Sequence, residues 1–218
     1  MSDSIEDSSP LTAKRTDLQW PRRLFHMLCG ITVAFMYQVL FTHSQAVYLL
    51  GFIACIVYIF EQVRVNYPEL ANSFLLPSRY LLRAEEQLKE SAQVPYMMGL
   101  LLTLLSFPKT IAIASILTLA IADPLSAIIG IRYGKNRIVK HKSLEGSAAF
   151  FLGCLGSLLI AFSLNTELTL PFVILSIFIS FTVSIFEMIP IKIDDNLTIP
   201  LFTAAITWIA LWLLSLPI

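Results

Sequence analysis

Charge is scarce in this chain, and what little there is cancels. Asp, Glu, Lys and Arg make up 14% of the 218 residues, whereas hydrophobic residues make up 56%; a soluble domain is about one quarter charged. The 15 acids balance the 15 lysines and arginines. Overall charge therefore singles out no acidic partner, and no nucleic-acid partner is expected; only the placement of charge is informative. Cysteine is nearly missing too. Cys29, Cys55 and Cys154 lie far apart in apolar stretches and form no Cys-x-x-Cys pair, which excludes a disulfide framework and leaves three small hydrophobes. The opening residues are polar and acidic, so no cleavable signal peptide is expected there. No internal repeat relates the two halves of the chain, and the Walker phosphate loop, Gly-x-x-x-x-Gly-Lys-Ser/Thr, is absent.

What is present is apolar length. Blocks run over 24–41, 46–60, 94–107, 110–131, 148–164, 170–191 and 197–218. A spanning helix needs about 20 apolar residues; the blocks at 46–60 and 94–107 are short and cross only with their flanks included. The expected fold is all-α, a polytopic integral membrane protein of about seven transmembrane helices. A mobile polar tail over residues 1–19 precedes a single membrane-embedded catalytic domain over 20–218. Trp20, Pro21, Arg22 and Arg23 read as an interface anchor and helix start. Residues 79–90 mix apolar and charged side chains at helical spacing, as a connecting helix with a solvated face or as a surface helix that gates lipid entry.

With the N-terminus in the cytoplasm, fourteen of the fifteen lysines and arginines fall on the cytoplasmic side and only Lys109 falls outside, the bias expected of a correctly oriented membrane protein. The same arrangement gathers the polar side chains near one face: Arg22, Arg23, His26, Glu61, Arg64, Asp123, Lys142, Glu145, Glu187, Asp194, Asp195 and Asn196. Asp123 stands out, because a carboxylate near the end of a hydrophobic helix is costly to bury and points to a function and a cationic partner. A loop rich in cations and glycines follows it. Acids on three separated segments, Asp123, Glu187 and Asp194 with Asp195, fit a hard divalent ion, and the cations fit phosphate oxygens. Phosphoryl or nucleotidyl transfer needs little more.

Each residue also has a plainer role. Arg22, Arg23, Arg132, Arg137 and Lys140 could simply set topology. His26 could be hydrogen-bonded within the helix bundle. Glu61 and Arg64 read as an ion pair closing a helix end, worth a few tenths of a kcal/mol if exposed. Asp195 could cap the last helix through Asn196. Gly130-x-x-x-Gly134 reads equally as helix packing or as a phosphate cradle, and Gly153 with Gly156 as small residues for close helix contact.

The motifs Arg22-Arg23-x-x-His26, Glu61-x-x-Arg64, Ala122-Asp123-x-x-x-Ala127-x-x-Gly130-x-x-x-Gly134, Lys142-Ser-Leu-Glu-Gly-Ser147, and Glu187 followed by Asp194-Asp195-Asn196-Leu197-x-Ile199-Pro200 resemble those of the CTP-dependent lipid kinases, which include dolichol, phytol and diacylglycerol kinases. The resemblance covers roughly residues 20–200. It extends distantly to the CDP-diacylglycerol synthases, but the His-Gly-Gly segment of those enzymes is missing, which favours a kinase.

The resemblance implies a membrane enzyme that transfers the terminal phosphate of CTP, or another nucleoside triphosphate, to a polyprenol, phytol or diacylglycerol hydroxyl. It implies Mg2+ held by Asp123, Glu187 and Asp194, with Asp123, Glu187, Asp194 and Asp195 as catalytic acids. Arg22, Arg23, His26, Arg132, Lys142, Ser143, Glu145, Gly146, Ser147 and Asn196 would hold nucleotide and phosphate, with Arg137 as an alternative clamp. Ser143, Gly146 and Ser147 would precede a helix whose free amides bind phosphate. The active site would face the cytoplasm, and a homodimer is compatible with the reading. Two other functions stay open: a cytidylyltransferase that forms CDP-lipid, and a small proton- or cation-coupled transporter using Asp123 and Glu187.

Overall fold

The structure is a computed structural model that describes residues 20–67, 91–139 and 142–216. The expected tail at 1–19, the surface helix at 79–90, Lys140 and His141 lie outside the described residues.

Among the described residues the chain forms seven helices. They are α1 (Trp20–Val39), α2 (His43–Asn66), α3 (Gln93–Ser106), α4 (Lys109–Tyr133), α5 (Leu144–Asn165), α6 (Leu170–Met188) and α7 (Asp195–Leu213). A short antiparallel hairpin, β1 (Arg137–Val139) and β2 (Lys142–Ser143), joins α4 to α5 and pairs Arg137 with Ser143. Five helices, α2 and α4 through α7, are long and apolar enough to cross a membrane. The 14-residue α3 is shorter, and α1 begins with Arg22, Arg23 and His26. The all-α membrane fold expected from the apolar blocks is what the chain forms.

Helix ends depart from the apolar blocks where local chemistry overrides hydropathy. The second block looks short, yet α2 runs for 24 residues. At its start Thr42 and Gln45 form a reciprocal capping box, with Thr42 N–H donating to Gln45 Oε1 at 3.0 Å and Gln45 N–H to Thr42 Oγ1 at 3.4 Å. At its end the charges of Glu61 and Arg64 neutralise each other inside the protein, so the helix continues past the apolar residues. Likewise α5 starts at Leu144 and not at residue 148, because Ser143 Oγ accepts the Gly146 N–H at 3.1 Å and caps the first turn. Gly146 and Ser147 therefore lie within the helix instead of preceding it.

The central element is α4, which packs against α1, α3, α5 and α7. Every residue from 110 to 120 is buried. Close approach depends on glycine at a few contacts. A Cβ on Gly153 would lie 2.8 Å from Ala122 Cα, and one on Gly146 would lie 2.9 Å from the Ser126 carbonyl oxygen and 3.2 Å from Gly130 Cα. The glycines of the central loop thus serve the seam between α4 and α5. Gly156, expected to share that duty, faces open space. Several buried hydroxyls bond back along their own helices, as Ser115 does to the Ile111 carbonyl at 2.8 Å and Thr207 to the Thr203 carbonyl at 2.7 Å. This satisfies polar groups where no water is available. Outside, Phe35, Phe52, Leu152, Leu170 and Trp212 project from the bundle, a surface suited to lipid.

Candidate active site

The polar side chains collect where α1, α3, α5 and α7 begin and α2, α4 and α6 end. Lys142 stands at the middle. Its Nζ lies 2.8 Å from Glu187 Oε1 and 3.3 Å from Asp195 Oδ2, and it also donates to the Glu187 backbone carbonyl. The hairpin and the cap formed by Ser143 fix the Lys142 backbone, α6 delivers Glu187 one residue before its end, and α7 delivers Asp195 at its first residue. The Glu187 side chain is only 6% exposed and that of Lys142 is 25% exposed. Burial alone would lower the Lys142 ammonium, but the carboxylates of Glu187 and Asp195 outweigh it and hold the group above its ordinary value.

Asp123 completes the acidic group. It interacts electrostatically with Glu187 and Asp195 and with Arg23 and His26. Its position follows from an irregularity in α4: residues Thr118–Ala122 form a π-helical turn immediately before it. Pro124 has no N–H, so a carbonyl in the preceding turn loses its backbone donor. At the five-residue spacing of a π turn that carbonyl belongs to Leu119. His26 Nε2 reaches it at 3.2 Å. A carbonyl only accepts, so Nε2 carries the hydrogen and Nδ1 is the ring nitrogen left to accept. Tyr96 also holds His26: the ring centroids are 4.3 Å apart, and the Tyr96 hydroxyl donates to the His26 carbonyl at 3.0 Å. Neither Tyr96 nor the Leu119 carbonyl is recognisable from motif spacing. The Asp-Pro pair inside an apolar run was the available signal for the irregular turn.

The other expected site residues separate into groups. Arg22 acts electrostatically on Arg23 and His26, and Asp194 on His26 and Asp195, so all five belong to this end. The last helix is capped by Asp194, whose Oδ1 accepts the Asn196 N–H at 2.9 Å, and not by Asp195 as the capping alternative had it. Glu145 accepts from the Asn136 backbone N–H at 3.3 Å and from its side-chain amide at 3.3 Å, tying the loop after α4 to the start of α5. Ser143 is the α5 cap, and the Ser147 carbonyl accepts from Ser184 Oγ at 3.0 Å. Arg132 is exposed and lies 5.6 Å from the Tyr133 ring centroid, while Arg137 sits opposite Ser143 in the hairpin. Glu61 and Arg64 form a buried, two-pronged pair (2.7 and 3.0 Å) that also accepts the Ser91 N–H. It is therefore not the weak exposed pair its spacing allowed for.

Among the described residues no three His, Cys, Asp or Glu side chains are close enough together to form a ready metal cage. The group nevertheless suits a hard cation. Its donors are carboxylate oxygens, and Glu187 Oε2 is buried with no hydrogen-bond partner among the described residues. Magnesium usually takes one or two carboxylates and completes its shell with substrate phosphates and water.

No family model matches the chain, and no solved structure does. Sequence relatives are clearer. An uncharacterised protein of Rickettsia prowazekii is 30% identical over 190 residues, covering 85% of this chain and 91% of the relative. The CTP-dependent diacylglycerol kinase 1 of Schizosaccharomyces pombe is 25% identical over 218 residues, covering 91% of this chain and 99% of the kinase. A probable chloroplastic phytol kinase 1 of Glycine max is 29% identical over 202 residues, covering 86% of this chain and 65% of the relative. With its helical membrane fold, its lysine set between acids at one end of the bundle and these relatives, the chain belongs to the CTP-dependent lipid kinases.

Proposed function

We propose that this enzyme transfers the terminal phosphate of CTP to the hydroxyl of a membrane lipid alcohol, either diacylglycerol or an isoprenoid alcohol such as phytol or a polyprenol, at a site facing the cytoplasm. The observation that carries the reading is Lys142 bridging Glu187 and Asp195, beside Asp123, at one end of an apolar bundle. The names of the yeast and plant relatives support the acceptor class, and the crowding of cations at this end supports its orientation.

The lipid hydroxyl oxygen attacks the terminal phosphorus, the bond from that phosphorus to the bridging oxygen breaks, and CDP departs with the bonding electrons. The hydroxyl proton passes to a carboxylate, with Glu187 or Asp195 as the base. Lys142 and Arg23, with Arg22, meet the negative charge on the transferring group, which is worth most in a site shielded from water. Asp123 and Glu187 would hold Mg2+ with Asp195, in place of Asp194, whose Oδ1 caps α7; the ion when bound would supply further positive charge against the phosphate oxygens. His26, fixed by Leu119 and Tyr96, stands in the field of Asp123 and Arg22, and its remaining nitrogen would help to hold nucleotide. The lipid alcohol enters laterally from the bilayer.

The test uses purified protein in detergent with magnesium, CTP or ATP labelled at the terminal phosphate, and a panel of phytol, polyprenol, diacylglycerol and phosphatidic acid. Label on an alcohol, with CDP left behind, is the expected result and names the acceptor. A CDP-lipid made from phosphatidic acid with labelled pyrophosphate would replace the kinase reading with a cytidylyltransferase.

A further inference from the structure

An ammonium group has three N–H donors and no acceptor. In Lys142 all three have partners within the protein: Glu187 Oε1, the Glu187 carbonyl and Asp195 Oδ2. A lysine so engaged has no donor to offer a phosphate. It can clamp a nucleotide only by leaving the acids, and the acids cannot be left as they are. Glu187 is 5% exposed, its Oε2 has no partner among the described residues, and Asp123 and Asp195 act on it with the same negative sign. Removing the ammonium therefore strands the buried Glu187 carboxylate beside two partly exposed acids unless another cation takes its place.

We infer that Lys142 fills the acidic seat while nucleotide is absent and exchanges with a divalent cation when nucleotide arrives, the lysine moving to the phosphates as the metal moves to Glu187 and Asp195. The nature of the arriving anion rests on the kinase reading; the competition between lysine and metal does not. Exchange makes metal and nucleotide bind together, because each relieves the strain the other creates. It also keeps the free enzyme from loading metal, since the apparent affinity is reduced by the fraction of molecules whose seat is open. The lysine stands on a hairpin between α4 and α5 and not within a helix, so its long flexible stem is the part able to move.

The experiment measures Mn2+ binding by electron paramagnetic resonance on the full chain in detergent, without nucleotide. K142M should bind Mn2+ at least about tenfold more tightly than the wild type, the factor expected if the seat is open in no more than about a tenth of wild-type molecules. Adding E187Q to K142M should remove the gain. Thermal melting of K142M should recover on adding Mn2+, while that of the wild type hardly changes. If K142M fails to melt cooperatively, K142Q, which keeps a hydrogen-bonding end beside Glu187, replaces it. Equal Mn2+ affinity in the wild type and the lysine variant overturns the exchange. A gain in Mn2+ binding in K142M, together with a wild type that phosphorylates no lipid in the radiolabel assay, supports the exchange and removes the kinase reading.

Discussion

Lys142 Nζ lies 2.8 Å from Glu187 Oε1, joining residues 45 apart in sequence across the start of one helix and the end of another. The contact neutralises a carboxylate that α6 carries into the protein interior. It also ties the hairpin to the helix ends on which the remaining acids stand.

Asp123 is the acid whose loss should be most specific. D123N preserves shape and removes one charge, so the protein should fold and melt as the wild type does while CTP-dependent phosphorylation falls by about a hundredfold or more. Unchanged turnover in the radiolabel assay would remove Asp123 from the reacting centre.

The pH dependence of the Lys142 contacts follows from their sign. Glu187 and Asp195 hold the ammonium above its ordinary value of 10.5. The stabilisation is therefore fully present below about pH 10.5 and is lost only as pH rises through the still higher folded value. The difference in melting temperature between wild type and K142M should stay constant from neutral to mildly alkaline pH. A difference that shrinks between pH 7 and 9 would show that the ammonium is not held in this way.

Glu61 and Arg64 are 6% and 9% exposed and joined by two hydrogen bonds. R64M strands a buried carboxylate and should cost about 3–5 kcal/mol, whereas E61M with R64M should cost clearly less, because replacing a whole buried pair by apolar groups is often near neutral. Denaturation in detergent of the two single variants and the double variant checks this; equal losses for R64M and the double variant would argue against the pair.

Two glycines on one helix offer a controlled comparison. A Cβ on Gly153 would meet Ala122, the neighbour of Asp123, at 2.8 Å, whereas Gly156 faces open space. G153A should cost about 1–3 kcal/mol by overpacking and lower kinase activity with it. G156A should match or slightly exceed the wild type in stability. Melting curves and turnover of both variants decide it, and similar behaviour would overturn a tight α4–α5 seam.

The apolar blocks alone made the helical membrane fold legible, because a bilayer requires long apolar segments whatever their neighbours. The acids and cations proposed for the candidate site were legible for a similar local reason: charge beside apolar sequence is conspicuous. What hydropathy could not supply was partnership. The sequence offers Asp194 and Asp195 as equivalent neighbours, but only the packing of α6 against α7 turns Asp195 toward Lys142 and leaves Asp194 to cap the helix. The Leu119 carbonyl, taken by His26, becomes available only because a π turn precedes Pro124 and α1 lies alongside. Hydropathy and charge along the chain specify which segments enter the membrane and where charge gathers, since both depend on local composition. Tertiary structure decided which acid meets which base, because such contacts depend on helix rotation and crossing, which no stretch of sequence specifies alone.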